Sequence, residues 1–184
     1  MTLPNFNRLG LLPAGEHELD LPQLKASILV QGKPGLHVPG KWDHQWRLHL
    51  VNNLEILVEQ LNQVGITDVL IGGSFVENKY HPNDIDGCFS CEREFLVSGE
   101  LERQLNQLDP FNCWTWDPSS RMPYRGYGKR QLPMWHYYRV ELFPDYGQKS
   151  GICDSKGIEL TFPEAFRLSR EDFPKGVVRL RGSA

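Results

Sequence analysis

The chain has no long apolar run. No stretch of its 184 residues approaches the ~20 apolar positions that a membrane helix needs. Its start, Met1-Thr2-Leu3-Pro4-Asn5, has neither a basic segment nor an apolar one, so no signal peptide is expected and a cytoplasmic location is. Cysteine is scarce. Four residues (Cys88, Cys91, Cys113 and Cys153) are too few for a disulfide-stapled secreted domain and read as reduced thiols. Cys88-x-x-Cys91 opens a zinc spacing, but no second close Cys/His pair follows, so tetrahedral closure is lacking. There is no internal repeat and no low-complexity tract. A net charge of −3 argues against sequence-independent coating of nucleic acid.

With 40% hydrophobic and 23% charged residues, the chain has the composition of an ordinary globular protein. Its length suits one domain with a core that needs no disulfides. Residues 1–41 are rich in glycine and proline, including Gly10, Pro13, Gly15, Pro34, Gly35, Pro39 and Gly40. They read as an irregular arm, with one helical piece near Leu21–Val30 and enough apolar residues to pack on the 42–184 core. Trp46, Leu50, Leu54, Leu57, Val58 and Leu61 recur at helical spacing, predicting a helix from Asp43 to Val64 with Asp43 as N-cap and Gly65 as stop. Strands are predicted at 67–71, 85–89, 136–143 and 176–180, and helices from Ser98 to Asp109 and from Pro163 to Ser169. Residues 111–135 read as loop. The order describes a layered α/β or α+β domain.

The most informative segment is Ile71-Gly72-Gly73-Ser74, with nine residues intervening before Asp84-Ile85-Asp86. Two glycines let a backbone approach phosphate oxygens without a Cβ in the way, and Ser74 adds a hydroxyl donor. In a strand, Asp84 and Asp86 point to one face. Converging carboxylates repel unless a proton or cation sits between them. Mg²⁺ fits, since it takes oxygen ligands and keeps positions open for substrate phosphates. A third acid is wanted from a neighbouring strand. Glu141, in the apolar run Arg139-Val140-Glu141-Leu142, is the first candidate as metal ligand or general base, and Asp145 the second. Lys79 is either a phosphate partner or a solvated loop charge. Residues 1–120 carry 16 acidic and 8 basic residues, whereas Arg121 to Arg139 carry five basic ones and no acid. That basic stretch, interleaved with Tyr124, Tyr127 and Trp135, suits an anionic ligand or RNA as well as a solvated loop.

Gly73-Ser74-x9-Asp84-Ile85-Asp86 resembles the signature of the DNA polymerase beta-like nucleotidyltransferase superfamily. The opening Phe6-Asn7-Arg8-Leu9-Gly10-Leu11-Leu12-Pro13, the centre through Lys79 and Pro82-Asn83, and the closing Pro174-Lys175-Gly176-Val177 resemble an uncharacterised bacterial family of small nucleotidyltransferase-like proteins. The resemblance implies a mixed sheet with helices mainly on one side. It also implies Mg²⁺ (or Mn²⁺) at Asp84 and Asp86 with Glu141 as third acid, and triphosphate contacts at Gly73 and Ser74. The implied activity moves a nucleoside monophosphate from a triphosphate such as ATP to a hydroxyl on RNA, protein or a small molecule. Two positions depart from the superfamily pattern. Gly87 stands where an apolar residue is usual, and Glu141 where Asp is. These departures leave open an inactive module of the same fold, such as one half of a toxin–antitoxin or phage-defence pair whose partner is encoded nearby. A metal nuclease using Asp154-Ser155-Lys156 is the weakest reading, because the Gly-Gly-Ser turn would then be idle.

Overall fold

In the computed structural model, which describes residues 2–33 and 42–181, a five-stranded mixed sheet carries the molecule. Its order is β1 (Gly15–Leu19), β7 (Gly176–Arg181), β2 (Asp68–Gly72), β3 (Ile85–Ser90) and β4 (Val140–Asp145). β1 with β7 and β3 with β4 are parallel; β7 with β2 and β2 with β3 are antiparallel. Strand alternation sorts the side chains into two cores. Val69, Ile71, Ile85, Phe89, Val140, Leu142, Val178 and Leu180 face the larger one. It is closed by α1 (Leu21–Ala26), α2 (Ile28–Gln31), α3 (His44–Gln63), α4 (Arg93–Val97), α5 (Glu100–Leu108) and α6 (Pro133–Tyr138). Leu70, Cys88, Phe143 and Val177 face the other side, where Phe162 and Phe166 of α7 (Phe162–Phe166) cover them. A two-stranded hairpin, β5 (Lys149–Cys153) with β6 (Glu159–Thr161), leads into α7. The architecture is therefore α+β, with helices packed mainly on one side. Among the described residues no helix is long and apolar enough to cross a membrane.

Several elements form where local sequence dictates. α3 begins at Asp43, whose carboxylate accepts the Trp46 N–H at 3.0 Å, and it ends before Gly65 at φ +84°. β2 and β7 match their predicted spans closely, and β3 starts at Ile85 as expected.

Other expectations are corrected. The arm is not wholly irregular: Gly15–Leu19 is an edge strand, held by parallel pairing with β7 rather than by β-branched residues. The part of the arm at 34–41, with Pro34, Gly35, Pro39 and Gly40, lies outside the described residues. Residues 136–138, expected to begin a strand, instead finish α6, which starts at Pro133 inside the expected loop. Pro133 at the first helical position favours that start. Arg139 then takes a left-handed φ of 55° and turns the chain into β4. α4, β5 and β6 had no predicted counterpart.

All four cysteines are free. Cys88 packs beneath α7, where burial pushes its thiol up to about 12. Trp114 is wholly buried and donates to Gln60 at 2.6 Å, while Tyr138 donates its hydroxyl to Asp109 at 2.6 Å. With Gln60 donating to Asp109 at 3.2 Å, these bonds tie α3, the end of α5 and α6 together.

Gly87 has a packing explanation. A Cβ there would meet the Leu70 carbonyl oxygen at 2.7 Å and Leu142 Cδ2 at 2.9 Å. The departure from an apolar residue is thus required by how β3 sits between β2 and β4. Gly87→Ala should destabilise the fold by about 1–3 kcal/mol, seen as a lower urea midpoint at unchanged slope.

Candidate functional site

Asp84, Asp86 and Glu141 share one face of the sheet. Asp84 immediately precedes β3, Asp86 lies within it, and parallel pairing sets Glu141 of β4 opposite Asp86. The three line a cleft of about 920 Å³ together with Gly73, Ser74 and Lys79. The sequence-predicted site residues are therefore all brought to one cavity. Asp145, the second candidate for the third acid, ends β4 and is not part of the cleft wall.

The turn after β2 is shaped by contact with Asp86. Gly73 has φ +64°, and a Cβ on it would run into the Asp86 carboxylate. Gly72 is equally constrained, since a Cβ there would come within 2.5 Å of Phe166 Cβ. The segment Gly73–Val76 is a single 3-10 turn. Ser74 and Lys79 are half-buried on the cleft wall, and Lys79 forms no ion pair among the described residues.

Each acid is differently supported. The Trp135 indole N–H donates to Asp84 Oδ2 at 2.8 Å. The Arg139 guanidinium lies 3.7 Å over the Trp135 ring and 4.3 Å over Tyr124, which fixes the indole that holds Asp84. Glu141 accepts the Leu132 N–H at 3.0 Å and has Arg121 at 3.6 Å. Among the described residues Asp86 has no such partner, and its neighbours act on it by charge. Burial, then the nearby charges of Asp84 and Glu141, push Asp86 up to about 8. Burial also raises Asp84, against the Trp135 hydrogen bond, and raises Glu141, against the Leu132 N–H.

Sequence reasoning missed two buried cations. Arg47 of α3 is wholly buried and donates to the carbonyls of Leu29 (2.8 Å), Phe75 (2.8 Å), Glu77 (3.0 Å) and Lys79 (2.6 Å). Burial pulls it down to about 9. Lys175, 4% exposed, donates to the Gly73 carbonyl at 2.8 Å and pairs with Glu77. Together they clamp the chain on both sides of Ser74. The only signal was a charged residue inside an apolar pattern, for Arg47, and the closing sequence anchor, for Lys175. The basic segment also acquires a shape. Met122 and Gln131 exchange backbone hydrogen bonds at 2.8 and 2.9 Å, closing a flap whose Tyr127 and Lys129 reach the cleft.

Oxygen-only donors suit a hard divalent cation. Among the described residues no three His, Cys, Asp or Glu side chains converge as a ready-made metal cluster. Glu141 is committed to Leu132 and Arg121. The fit is to the pair Asp84 and Asp86, which matches the habit of Mg²⁺ of taking one or two carboxylates and completing its shell with water and phosphate.

The chain belongs to a family of unknown function, DUF6932, whose model matches residues 4–181. No curated protein and no solved structure matches it.

Two outcomes follow from these contacts. A carboxyl raised in the folded state favours folding while protonated, so its contribution is complete below the ordinary carboxylate range and is lost as pH rises through the folded value. In chelator-treated buffer the melting temperature should fall between about pH 4 and about pH 8, and Asp86→Asn should flatten that slope. Calorimetric melts across the range test this; an equally steep fall in Asp86→Asn contradicts it. Arg47→Met leaves buried carbonyls unpaired and should cost about 3 kcal/mol or more in denaturant titration.

Proposed function

We propose that the protein is a Mg²⁺-dependent nucleotidyltransferase, moving a nucleoside monophosphate from a triphosphate to a hydroxyl acceptor. The observation that supports this best is the contact between Gly73 and Asp86. It joins a turn open to phosphate oxygens to a pair of half-buried carboxylates, in a cleft large enough for nucleotide and acceptor. In this reading the backbone of Gly73 and the hydroxyl of Ser74 hold phosphate oxygens, and Lys79 offsets their charge. Asp84 and Asp86 would hold Mg²⁺, which when bound neutralises charge on the phosphates and the leaving pyrophosphate. Glu141, beside them on β4, serves as a further ligand or as the base that takes the acceptor proton. Lys175 and Arg47 act through the backbone, keeping the turn fixed against Asp86. RNA, protein and small molecules all remain in range as acceptor classes for this chemistry.

One observation favours a second reading. Asp84 and Glu141 already have partners inside the protein, and among the described residues no three-acid cluster is assembled. A non-catalytic module of the same design, working with a protein partner encoded nearby, would have that character.

Triphosphates labelled at the α-phosphate, incubated with the protein, Mg²⁺ or Mn²⁺ and cell extract, should label an acceptor. Asp84→Asn and Asp86→Asn should each lower transfer on the order of 100-fold or more. Calorimetry separates the readings: the enzyme binds a non-hydrolysable triphosphate in a Mg²⁺-dependent way, and the inert module binds neither. Absence of transfer with all four triphosphates, together with absence of binding, would sink the enzyme reading.

A further inference from the structure

The acids and the cations that face them gather at one end of the cleft. β3 and β4 run parallel, and the acids sit near the starts of these strands. Lys79 and Arg170 lie near Asp84, Arg121 beside Glu141, and Lys175 against Gly73. Moving along β4, the next residue on Glu141's face is Phe143, about 7 Å further on. From there the cleft wall is made by the end of β4, the β5–β6 hairpin and α7. None of its lining residues between 143 and 162 carries a charge. Phe143 and Phe162 stack with centroids 4.6 Å apart, and Tyr146 (41% exposed) and Ile152 (45% exposed) stand open beside them with Leu160. The Ser150 hydroxyl is already donated to the Leu160 carbonyl at 2.8 Å, so it adds no free donor.

We propose that this uncharged trough is the acceptor subsite, and that the acceptor is a hydroxyl-bearing side chain of a polypeptide, flanked by apolar residues. The inference rests on the nucleotidyltransferase reading and deepens it. Its first support is continuity: the trough opens directly onto the face carrying Glu141, so a hydroxyl seated there reaches a nucleotide bound over the acids. Its second support is charge. A polynucleotide acceptor brings one phosphate per nucleotide, and a groove that tracks such a backbone is lined with cations. The wall between 143 and 162 has none; Lys79, Arg121, Arg170 and Lys175 lie toward the acids, and Lys129 stands on the flap. A peptide with apolar flanks instead removes Phe143, Ile152 and Phe162 from water without burying an unpaired charge. In the transfer, the acceptor oxygen forms a bond to the α-phosphorus. The bond from that phosphorus to the oxygen bridging to the β-phosphate breaks, pyrophosphate leaves with the electron pair, and the hydroxyl proton passes to Glu141 where it acts as the base, and from it to water in the open cleft.

The test uses the full chain with Mg²⁺, labelled triphosphates and two acceptor probes. One is a peptide set with Ser, Thr or Tyr between apolar residues; the other is a single-stranded oligoribonucleotide. Label is expected on the peptides and not on the oligonucleotide. Ile152 is exposed, so Ile152→Lys and Ile152→Glu should fold normally, as checked by melting. Both should lower kcat/KM for peptide about tenfold or more while KM for the triphosphate stays within about twofold. Label confined to the oligonucleotide, or peptide transfer indifferent to both Ile152 variants, overturns the trough assignment and leaves the nucleotidyltransferase reading standing. Calorimetry that finds no triphosphate bound overturns that reading itself and the trough with it.

Discussion

The parallel register of β3 with β4 is the constraint on which the site depends. Because Asp86 pairs with Glu141, and Asp84 precedes Asp86 by two, three carboxylates must share one partly buried surface. Like charges in such a place are mutually unfavourable, and each is pushed toward its neutral form. The surrounding structure answers two of them with donors. Trp135, itself stacked under Arg139, takes Asp84; the Leu132 amide and Arg121 take Glu141. Among the described residues Asp86 has no donor of either kind, and burial and its acidic neighbours outweigh the pull of Lys175 and Arg170 at the point where the Gly73 turn touches it. An arrangement that keeps such a group unpaired costs stability. A cation, or a proton, restores what the fold gives up there.

The turn opposite Asp86 is held from far away in sequence. Arg47 reaches it from α3 and Lys175 from the approach to β7. The opening segment joins them. Asn78 donates its N–H to the Gly10 carbonyl at 2.7 Å, and Gly176 donates to the Leu12 carbonyl at 2.8 Å. The three stretches that stand out in the sequence, near residues 6–13, 73–79 and 174–177, thus meet around one loop. The two outer stretches have no evident purpose alone. Their common role is to fix a backbone that must approach a carboxylate closely and still face an open cleft.

Much of this was legible. The 3.6-residue spacing from Trp46 to Leu61, capped by Asp43, determines α3 locally, and the short β-rich runs before Gly72 and after Asp84 determine β2 and β3. The pairing of a Gly-Gly-Ser turn with two aspartates two apart also identified the cavity that the fold builds. What was not legible lacked a local cause. β1 is polar and edge-bound, existing because β7 offers it a partner. The residues 136–138 carry strand-like aromatics but complete a turn of helix begun at Pro133, since Met134, Trp135 and Tyr138 all find burial that way. The β5–β6 hairpin is largely exposed and gives no alternating pattern to read.

By itself the sequence determined the α3 helix, the central strands and the identity of the acids, because these follow from side-chain periodicity and from the chemistry of adjacent residues. Only the tertiary structure decided that Glu141 stands beside Asp86, that Gly87 must lack a side chain, and that Arg47 and Lys175 brace the turn. Those are contacts between residues far apart in the chain. Their energies come from desolvation and from shared space, which no local pattern encodes.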